Sequence, residues 1–356
     1  MYESERPSLN YDDLFSGRDP LDITLVECML TYTCNIRCVY CFNPHHRRGN
    51  ELAVSEWKTA IRSAADLGAV ATIFNGGEPL AYPGHVELIR YAHDLGLITG
   101  ISSNGLMLDP NKVDELAGNL DVLQISLHPW RYIDDLAGGI RPFTEHARRF
   151  KERGGRRAVF KVVLYRGLAD RLEELLDVVG DLASDVIDSF GVQAALPLGY
   201  GYANPESMPT FEEVKRSNEL IEWYALTSPL EIENGLYDHF TVRPNLWGRY
   251  GVIINPEGEV YPLIEAVELM STITTEIEFD SLRRSSLAEI WESSPVMNRF
   301  RGVGWHQQPC VGCSLRDECR GGSRLNAYII TKDLHAADPF CVLSPEHEAL
   351  MAVYQA

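Results

Sequence analysis

All but one of the eight cysteines fall into two tight groups, and this grouping restricts the fold more than any other feature of the chain. Cys34, Cys38 and Cys41 stand together near the start. Cys310, Cys313, Cys319 and Cys341 stand near the end, and no cysteine separates Cys41 from Cys310. Two such groups read as two metal sites. The first twenty residues are polar and acidic, with no basic stretch running into an apolar one, so a secretory signal is not expected. No run of about 18 apolar residues occurs, so no membrane-spanning helix is expected. A cytoplasmic location follows as the expectation, and there grouped cysteines seldom form disulfides. The net charge of −19 lacks the basic footprint of a nucleic-acid binder. It reads as a solvated acidic surface, and the sharper reading is attraction to a cationic substrate or basic peptide.

Between the two groups the hydrophobic pattern sets the architecture. Apolar strand candidates at 23–30, 70–75, 97–103, 121–127, 158–165 and 189–196 alternate with amphipathic helices such as 55–67 and 111–117. Strands and helices alternating in this way form a parallel sheet with right-handed crossovers. The expected fold is α/β: a partial (β/α)6 TIM-like barrel, with its active site at the C-terminal ends of the strands. The pattern changes after about residue 205. Thr210 and Glu213, and later Ser286 and Glu289, have capping-box spacing. Residues 250–262 read as a hairpin turning at Pro256-Glu257-Gly258, and a last helix is expected near 344–355. The expected organisation is an N-terminal extension (1–20), the barrel (21–235), and a small C-terminal iron–sulfur domain with its helix (236–356).

The first cysteine group directly follows a strand, with spacing C-x3-C-x2-C. Thiolates are the usual ligands of iron–sulfur clusters, and a [4Fe–4S] cube takes four. Three cysteines leave one iron open to a small molecule. A three-cysteine zinc site is the alternative on spacing alone. The segment TCNIRCVYCFNP, with Tyr40 before the last cysteine, resembles the signature of the radical S-adenosylmethionine (SAM) superfamily. The resemblance implies that the open iron chelates SAM, and that the reduced cluster cleaves it to a 5′-deoxyadenosyl radical that takes hydrogen from substrate. Further matches follow in order. Gly76-Gly77-Glu78-Pro79 after the second strand resembles the GGEP motif, which implies backbone close to the SAM methionyl group and Glu78 accepting from its ammonium. Ser103-Asn104-Gly105 after the third resembles T-N-G. Ser126 at the end of the fourth is an expected SAM contact, although His128 stands where relatives have an acidic residue. Arg141 is a candidate partner for the SAM carboxylate, and Tyr40 and Leu196 for its adenine.

The C-terminal group resembles the SPASM extension of radical SAM peptide-maturing enzymes. Non-cysteine landmarks match as well: Gly258-Glu259-Val260-Tyr261-Pro262, the helix Leu287–Trp291, Gly321-Gly322, and Asp338-Pro339 before Cys341. A full SPASM pattern holds two auxiliary clusters. Here Leu263 and Ser323 replace expected cysteines, and none occurs around 244–249. The implied content is one auxiliary [4Fe–4S] cluster on Cys310, Cys313, Cys319 and Cys341, with structural zinc on the same thiolates as the alternative.

Cys28 is the remaining thiol. It is a candidate hydrogen donor for an epimerase if it faces the barrel, and otherwise a small buried hydrophobe. The resemblance points to a net oxidation, a crosslink or dehydrogenation, of a ribosomally made peptide. The alternatives are a dehydrogenase or epimerase acting on a sugar or aminocyclitol, and a non-catalytic iron–sulfur electron carrier. Expected partners are the peptide or small-molecule substrate and a reductant such as flavodoxin or ferredoxin. Domains rarely fall below about 50 residues, so the short extension leaves leader binding to a separate protein or to the barrel directly. His128, Trp130, Asp134, Asp135 and Glu265 are further candidates for the substrate region.

Overall fold

A computed structural model describes residues 19, 21–43, 49–196, 199–236, 242–262 and 277–355. Leu263, Glu265 and all but one residue of the N-terminal extension lie outside them. One sheet organises the rest. Its strands are β1 (Leu25–Met29), β2 (Ala71–Asn75), β3 (Ile98–Ser103), β4 (Val122–Leu127), β5 (Arg157–Leu164), β6 (Ser189–Ala194), β7 (Glu231–Gly235), β8 (Gly251–Ile254) and β9 (Val260–Tyr261). Their order is β7-β6-β5-β4-β3-β2-β1-β8-β9. From β1 to β7 each strand pairs in parallel with its predecessor. A crossover that always steps the same way is the winding of a partial barrel.

The six expected strands are present, and two features extend them. Strand β7 was not anticipated, because EIENG is short and polar and carries no apolar alternation. The expected hairpin forms as β8 and β9, and β8 also pairs in parallel with β1. The sheet therefore runs past residue 235 into the C-terminal part instead of stopping there.

Helices α1 (Val54–Asp66), α2 (His85–Asp94), α3 (Pro110–Ala117), α4 (Leu136–Glu152), α5 (Leu172–Ala183) and α6 (Phe211–Thr227) lie between the barrel strands. The local chemistry that starts them is plain. Asp109 accepts from the Asn111 and Lys112 N–H groups ahead of Pro110. Thr210 with Glu213 closes a capping box on α6, and Ser286 with Glu289 closes one on α7 (Leu287–Ser293). Asp135, a candidate for the substrate region from sequence, is the N-cap of α4, accepting from Gly138. The last two helices are α8 (Arg324–Thr331) and α9 (His347–Gln355).

Strand alternation sorts the side chains onto two faces. Val26, Cys28, Phe74, Ile101, Ile125 and Phe160 share a core with Trp57, Leu88, Ile140 and Leu175 of the helices. The opposite, concave face has an apolar floor of Leu25, Ala71 and Ile98. Beyond the floor it carries half-buried polar residues: Glu27, Asn75, Ser102, Gln124, Ser126 and Lys161. These pair among themselves, Asn75 donating to Glu27 at 2.9 Å and Gln124 to Ser102 at 2.6 Å.

The alternation bears on the two readings of Cys28, and its burial supports the small buried hydrophobe. It lies opposite Phe74 in register and is fully buried on the helix-covered face, 3.7 Å from the Thr72 hydroxyl. Burial pushes its thiol up to about 12. A thiol sealed beneath helices does not meet a substrate in the cleft, so Cys28 is a packing residue.

The C-terminal part has its own core of Trp247, Ile253, Tyr261, Phe279, Phe300 and Leu325, which also takes in Met29 of β1. Arg324, 1% exposed, ties its loops together. The guanidinium donates to the carbonyls of Gly321, Gly322, Leu334 and Ala336, and lies 4.7 Å from the Trp305 ring centroid.

Two outcomes follow. Cys28→Ala should retain SAM cleavage and product formation and lower stability by about 1 kcal/mol, the typical cost of a small core deletion; loss of turnover with a normal urea midpoint would contradict the packing role. Arg324→Met strands four carbonyls and should cost about 3 kcal/mol in urea unfolding. Arg324→Lys should restore only part, because an ammonium lacks the planar fork.

Candidate metal centres and cofactor site

Each loop that follows a barrel strand adds to one site at the C-terminal end of the sheet. The chain leaves β1 through Thr31, Tyr32 and Thr33, and the first two are fixed by Glu51. Its carboxylate accepts from the Thr31 hydroxyl at 2.8 Å and the Tyr32 N–H at 2.9 Å. The Gly76-Gly77-Glu78 run then lies along this segment, with Gly77 N–H on Thr31 O at 2.6 Å and Glu78 N–H on Thr33 O at 2.8 Å. A Cβ at Gly76 would come within 2.7 Å of Thr31 O, and one at Gly77 within 2.4 Å of Thr33 O. Gly76 also holds φ at +136°. The two glycines thus serve the approach of β2's exit to the cysteine loop itself.

Glu78 is fully buried. Its carboxylate accepts from Ser103 Oγ at 2.7 Å, Asn104 N–H at 2.9 Å and Leu80 N–H at 3.1 Å. Burial raises its pKa, and these bonds oppose the rise. In this arrangement Glu78 and Ser103 brace each other, joining the exits of β2 and β3. Asn104 extends the tie, with its Nδ2 2.6 Å from Asn35 Oδ1 and 3.9 Å from Cys34 Sγ. Arg37 closes the loop by donating to the Cys34 and Ile36 carbonyls at 2.7 and 2.9 Å. On the far side Tyr200 N–H donates to Cys41 O at 2.8 Å. Gly199, at φ +54°, makes that approach possible, since a Cβ there would lie 2.4 Å from Phe42 O.

The Cys38 thiol is buried, and its sulfur lies 3.5 Å from His128 Nδ1. Tyr40 stacks on Tyr165 at 5.5 Å and places its hydroxyl 3.1 Å from the same nitrogen. Burial, then the neighbouring Cys34, push the Cys38 thiol up to about 12. Burial also raises Cys34. Two desolvated thiols that oppose each other's ionisation are poor nucleophiles and good ligands, because a shared cation reverses both effects.

The other expected SAM contacts are spread around this end of the barrel. Ser126 is half-buried on the concave face of β4. Leu196, just past β6, packs with Phe42 against the C-terminal core. Arg141 is exposed on α4 and makes no ion pair among the described residues. Asp134 is exposed beside α4. Glu51, Asn35, Tyr165 and Gly199 were not expected from sequence. Glu51 carries no motif, and Tyr165 and Gly199 acquire their roles only through the crossovers that bring distant loops together.

At the other end of the chain, Cys310, Cys313, Cys319 and Cys341 line one hollow together with Asp338 and Gly321. Gly321 and Gly322 both take positive φ, and a Cβ on Gly322 would meet Asp338 Cβ at 2.4 Å. Asp338, 1% exposed, accepts from the Ser323 and Phe340 N–H groups at 2.8 and 3.0 Å. Four thiols that line one hollow can supply the four ligands of a cube, one to each iron.

Among the described residues, two of the positions that would ligate an inner auxiliary cluster are otherwise occupied. Ser323 is the N-cap of α8, accepting from Asn326 N–H. Residues 244–249 are filled by Trp247, fully buried, with its indole donating to Val296 O at 2.8 Å and its ring edge-on to Phe300 at 5.0 Å.

Comparison with known proteins agrees with this geometry. Residues 29–179 match the Radical SAM superfamily, and residues 246–314 match SPASM, an iron–sulfur cluster-binding domain. The chain is 32% identical over 340 residues to a PqqA peptide cyclase of Bradyrhizobium diazoefficiens, spanning 90% of this chain and 86% of the relative. It is 32% identical over 345 residues to the PqqA peptide cyclase of Rhodopseudomonas palustris, spanning 92% and 89%. Its fold resembles that of Streptococcus suis SuiB in complex with the precursor peptide SuiA, with TM-score 0.70 at 20% identity over 90% of this chain and 76% of SuiB. No helix among the described residues is long and apolar enough to cross a membrane. The chain belongs to the radical SAM superfamily, in the branch that carries a SPASM domain, and is an enzyme that works with [4Fe–4S] clusters and S-adenosylmethionine.

Proposed function

We propose that this enzyme oxidatively crosslinks two residues of a ribosomally made peptide, using one SAM-binding cluster on Cys34, Cys38 and Cys41 and one auxiliary cluster on Cys310, Cys313, Cys319 and Cys341. The observation that carries the reading is the match, over nearly the whole of both chains, to relatives named as peptide cyclases. When bound, the cluster and SAM supply the one-electron chemistry that removes a hydrogen atom from an unactivated carbon.

The chain's own residues then have distinct tasks. The Glu78–Ser103–Asn104 brace holds the cysteine loop at the barrel mouth, with Gly76 and Gly77 letting the strands approach. Ser126 and Arg141 are assigned to the polar groups of SAM, and Tyr40 and Leu196 to the flanks of its adenine. The concave polar face, with Glu27, Asn75, Gln124 and Lys161, offers donors and acceptors to a peptide side chain above an apolar floor. Closing a crosslink removes two hydrogens from the peptide. One leaves as an atom, and the other leaves as a proton with one electron. A four-thiolate cluster without an open iron is suited to accept that electron. The burial of Cys28 disfavours epimerisation, which needs a hydrogen donor facing the substrate. The reductant is assigned to the flavodoxin or ferredoxin class.

Reduced enzyme, SAM and a cognate precursor peptide should give 5′-deoxyadenosine together with a peptide two hydrogens lighter, read by mass spectrometry. A peptide of unchanged mass with an inverted stereocentre would overturn the crosslinking assignment. Anaerobic reconstitution should load about eight irons per chain, four for each cube. Cys313→Ala with Cys341→Ala should reduce the content to about four irons, preserve SAM cleavage and abolish crosslinking.

A further inference from the structure

Among the described residues, Glu27 is a concave-face carboxylate without an ion-pair partner. The carboxylates of β7, which register places on the same face as Lys161, are matched by cations. Arg157 lies 3.9 Å from Glu231 and 3.3 Å from Glu233, and Lys161 lies 3.7 Å from Glu233. Glu27 has instead one hydrogen bond, from Asn75 Nδ2 to its Oε2 at 2.9 Å. Register surrounds it with apolar side chains. Ile73 stands beside it on β2 and Ile253 beside it on β8, and Leu25 and Met29 flank it on the same face of β1. A carboxylate in such a setting costs stability, and packing alone does not call for one.

The bond to Asn75 ties this carboxylate to the rim of the barrel. Asn75 is the last residue of β2, and its carbonyl accepts from Leu30 N–H at 2.9 Å. It directly precedes Gly76 and Gly77, which lie against Thr31 and Thr33 at the start of the cysteine loop. The Asn75 amide orients the carboxylate and leaves Oε1 without a hydrogen-bond donor among the described residues. Glu27 is half-buried, so the group is not sealed beneath its neighbours. Burial raises its carboxyl, with the Asn75 amide and the Lys161 charge opposing the rise. A carboxylate held this way takes up a proton more readily than one in water.

We propose that Glu27, oriented by Asn75, is the general base that takes the proton lost when the crosslink closes. The inference rests on the crosslinking function proposed above. Once a hydrogen atom has been removed, the substrate carbon radical bonds to the second residue. The adduct still carries one hydrogen too many and one unpaired electron. Glu27 Oε1 takes that hydrogen as a proton, and the pair that bound it stays behind. Two of the three electrons close the shell of the product, and the third leaves to the oxidised auxiliary cluster, which is reduced by one electron. Proton and electron thus leave by separate routes, the proton to the wall of the barrel and the electron to the C-terminal part. Asn75 is a positioning residue for the base.

The test compares the reconstituted full-length parent, Glu27→Gln and Glu27→Ala on a cognate precursor peptide deuterated at carbon. Glu27→Gln keeps an acceptor for Asn75 and removes the base. Its crosslinking rate should fall about a hundredfold, the usual contribution of a general base. Deuterium should still pass from peptide to 5′-deoxyadenosine, and peptide affinity measured without SAM should match the parent. Formate, a small carboxylate, should restore crosslinking to Glu27→Ala in proportion to its concentration, and chloride at equal ionic strength should not. A merely structural role would not produce that rescue, and Glu27→Ala carries the test if Glu27→Gln fails to fold. Parent-like crosslinking in both variants, or loss of deuterium transfer and peptide affinity together, would overturn the base while leaving crosslinking standing. A parent that returns peptide of unchanged mass would overturn the crosslinking function and the base with it.

Discussion

The approach of the other strand exits to the three-cysteine loop at the exit of β1 is the constraint to which the rest of the molecule is fitted. Thiols in a desolvated loop resist ionisation, and Cys38, pushed up to about 12, shows by how much. The loop cannot be stabilised by its own charges, so its shape must come from neighbours. The neighbours are the exits of the next strands. Glu78 on β2's exit and Ser103 with Asn104 on β3's exit form one buried hydrogen-bonded unit that reaches Asn35. The turn after β4 and the loop after β6 reach Tyr40 and Cys41. A parallel barrel suits this task because it delivers every strand's C-terminal end to the same rim.

The same strand couples the two halves of the chain. Strand β1 pairs with β2 on one side and with β8 on the other. Alternation sends Cys28 into the helix-covered core and Met29 into the core of the C-terminal part. The auxiliary-cluster region is thus built onto the edge of the barrel sheet. A displacement of the C-terminal part would pull directly on the strand that leads into the first cysteine group.

Much of this was legible in the sequence, and the limits have physical causes. The strands declared themselves because each has a strongly apolar helix-facing side, and the caps at Asp109, Thr210 and Ser286 are local chemistry that needs no tertiary context. The family could be read from both cysteine groups because their spacing is written along the chain. Strand β7 escaped because a polar strand held by pairing with β6 has no apolar signature of its own. The side of the sheet that Cys28 faces depends on register, which a one-residue shift reverses. The conserved-looking Gly-Gly-Glu run was legible as a motif and less so as a mechanism: its glycines admit backbone and its carboxylate is met by protein donors. Asp135 stayed open between cap and substrate neighbour because both present the same residue type, and the structure shows it capping α4.

Charged residues inside otherwise apolar strands were the signal left unread. Glu27 interrupts LVECM and Lys161 interrupts FKVVL, and both project to the concave face. Burial raises the Glu27 carboxyl, while the Asn75 amide and the Lys161 charge oppose the rise. A barrel that had only to stand would fill this space with aliphatic side chains, since buried ion pairs are often no more stable than apolar packing of equal volume. Nearby, Asn75 Oδ1 is buried without a hydrogen-bond partner among the described residues. An orphaned acceptor on this face is costly when it stays unpaired. Chemistry that begins with hydrogen abstraction needs its target held still against an indiscriminate reagent. Under the crosslinking function proposed above, that fixing falls to polar groups on rigid strands, set into the wall of the barrel.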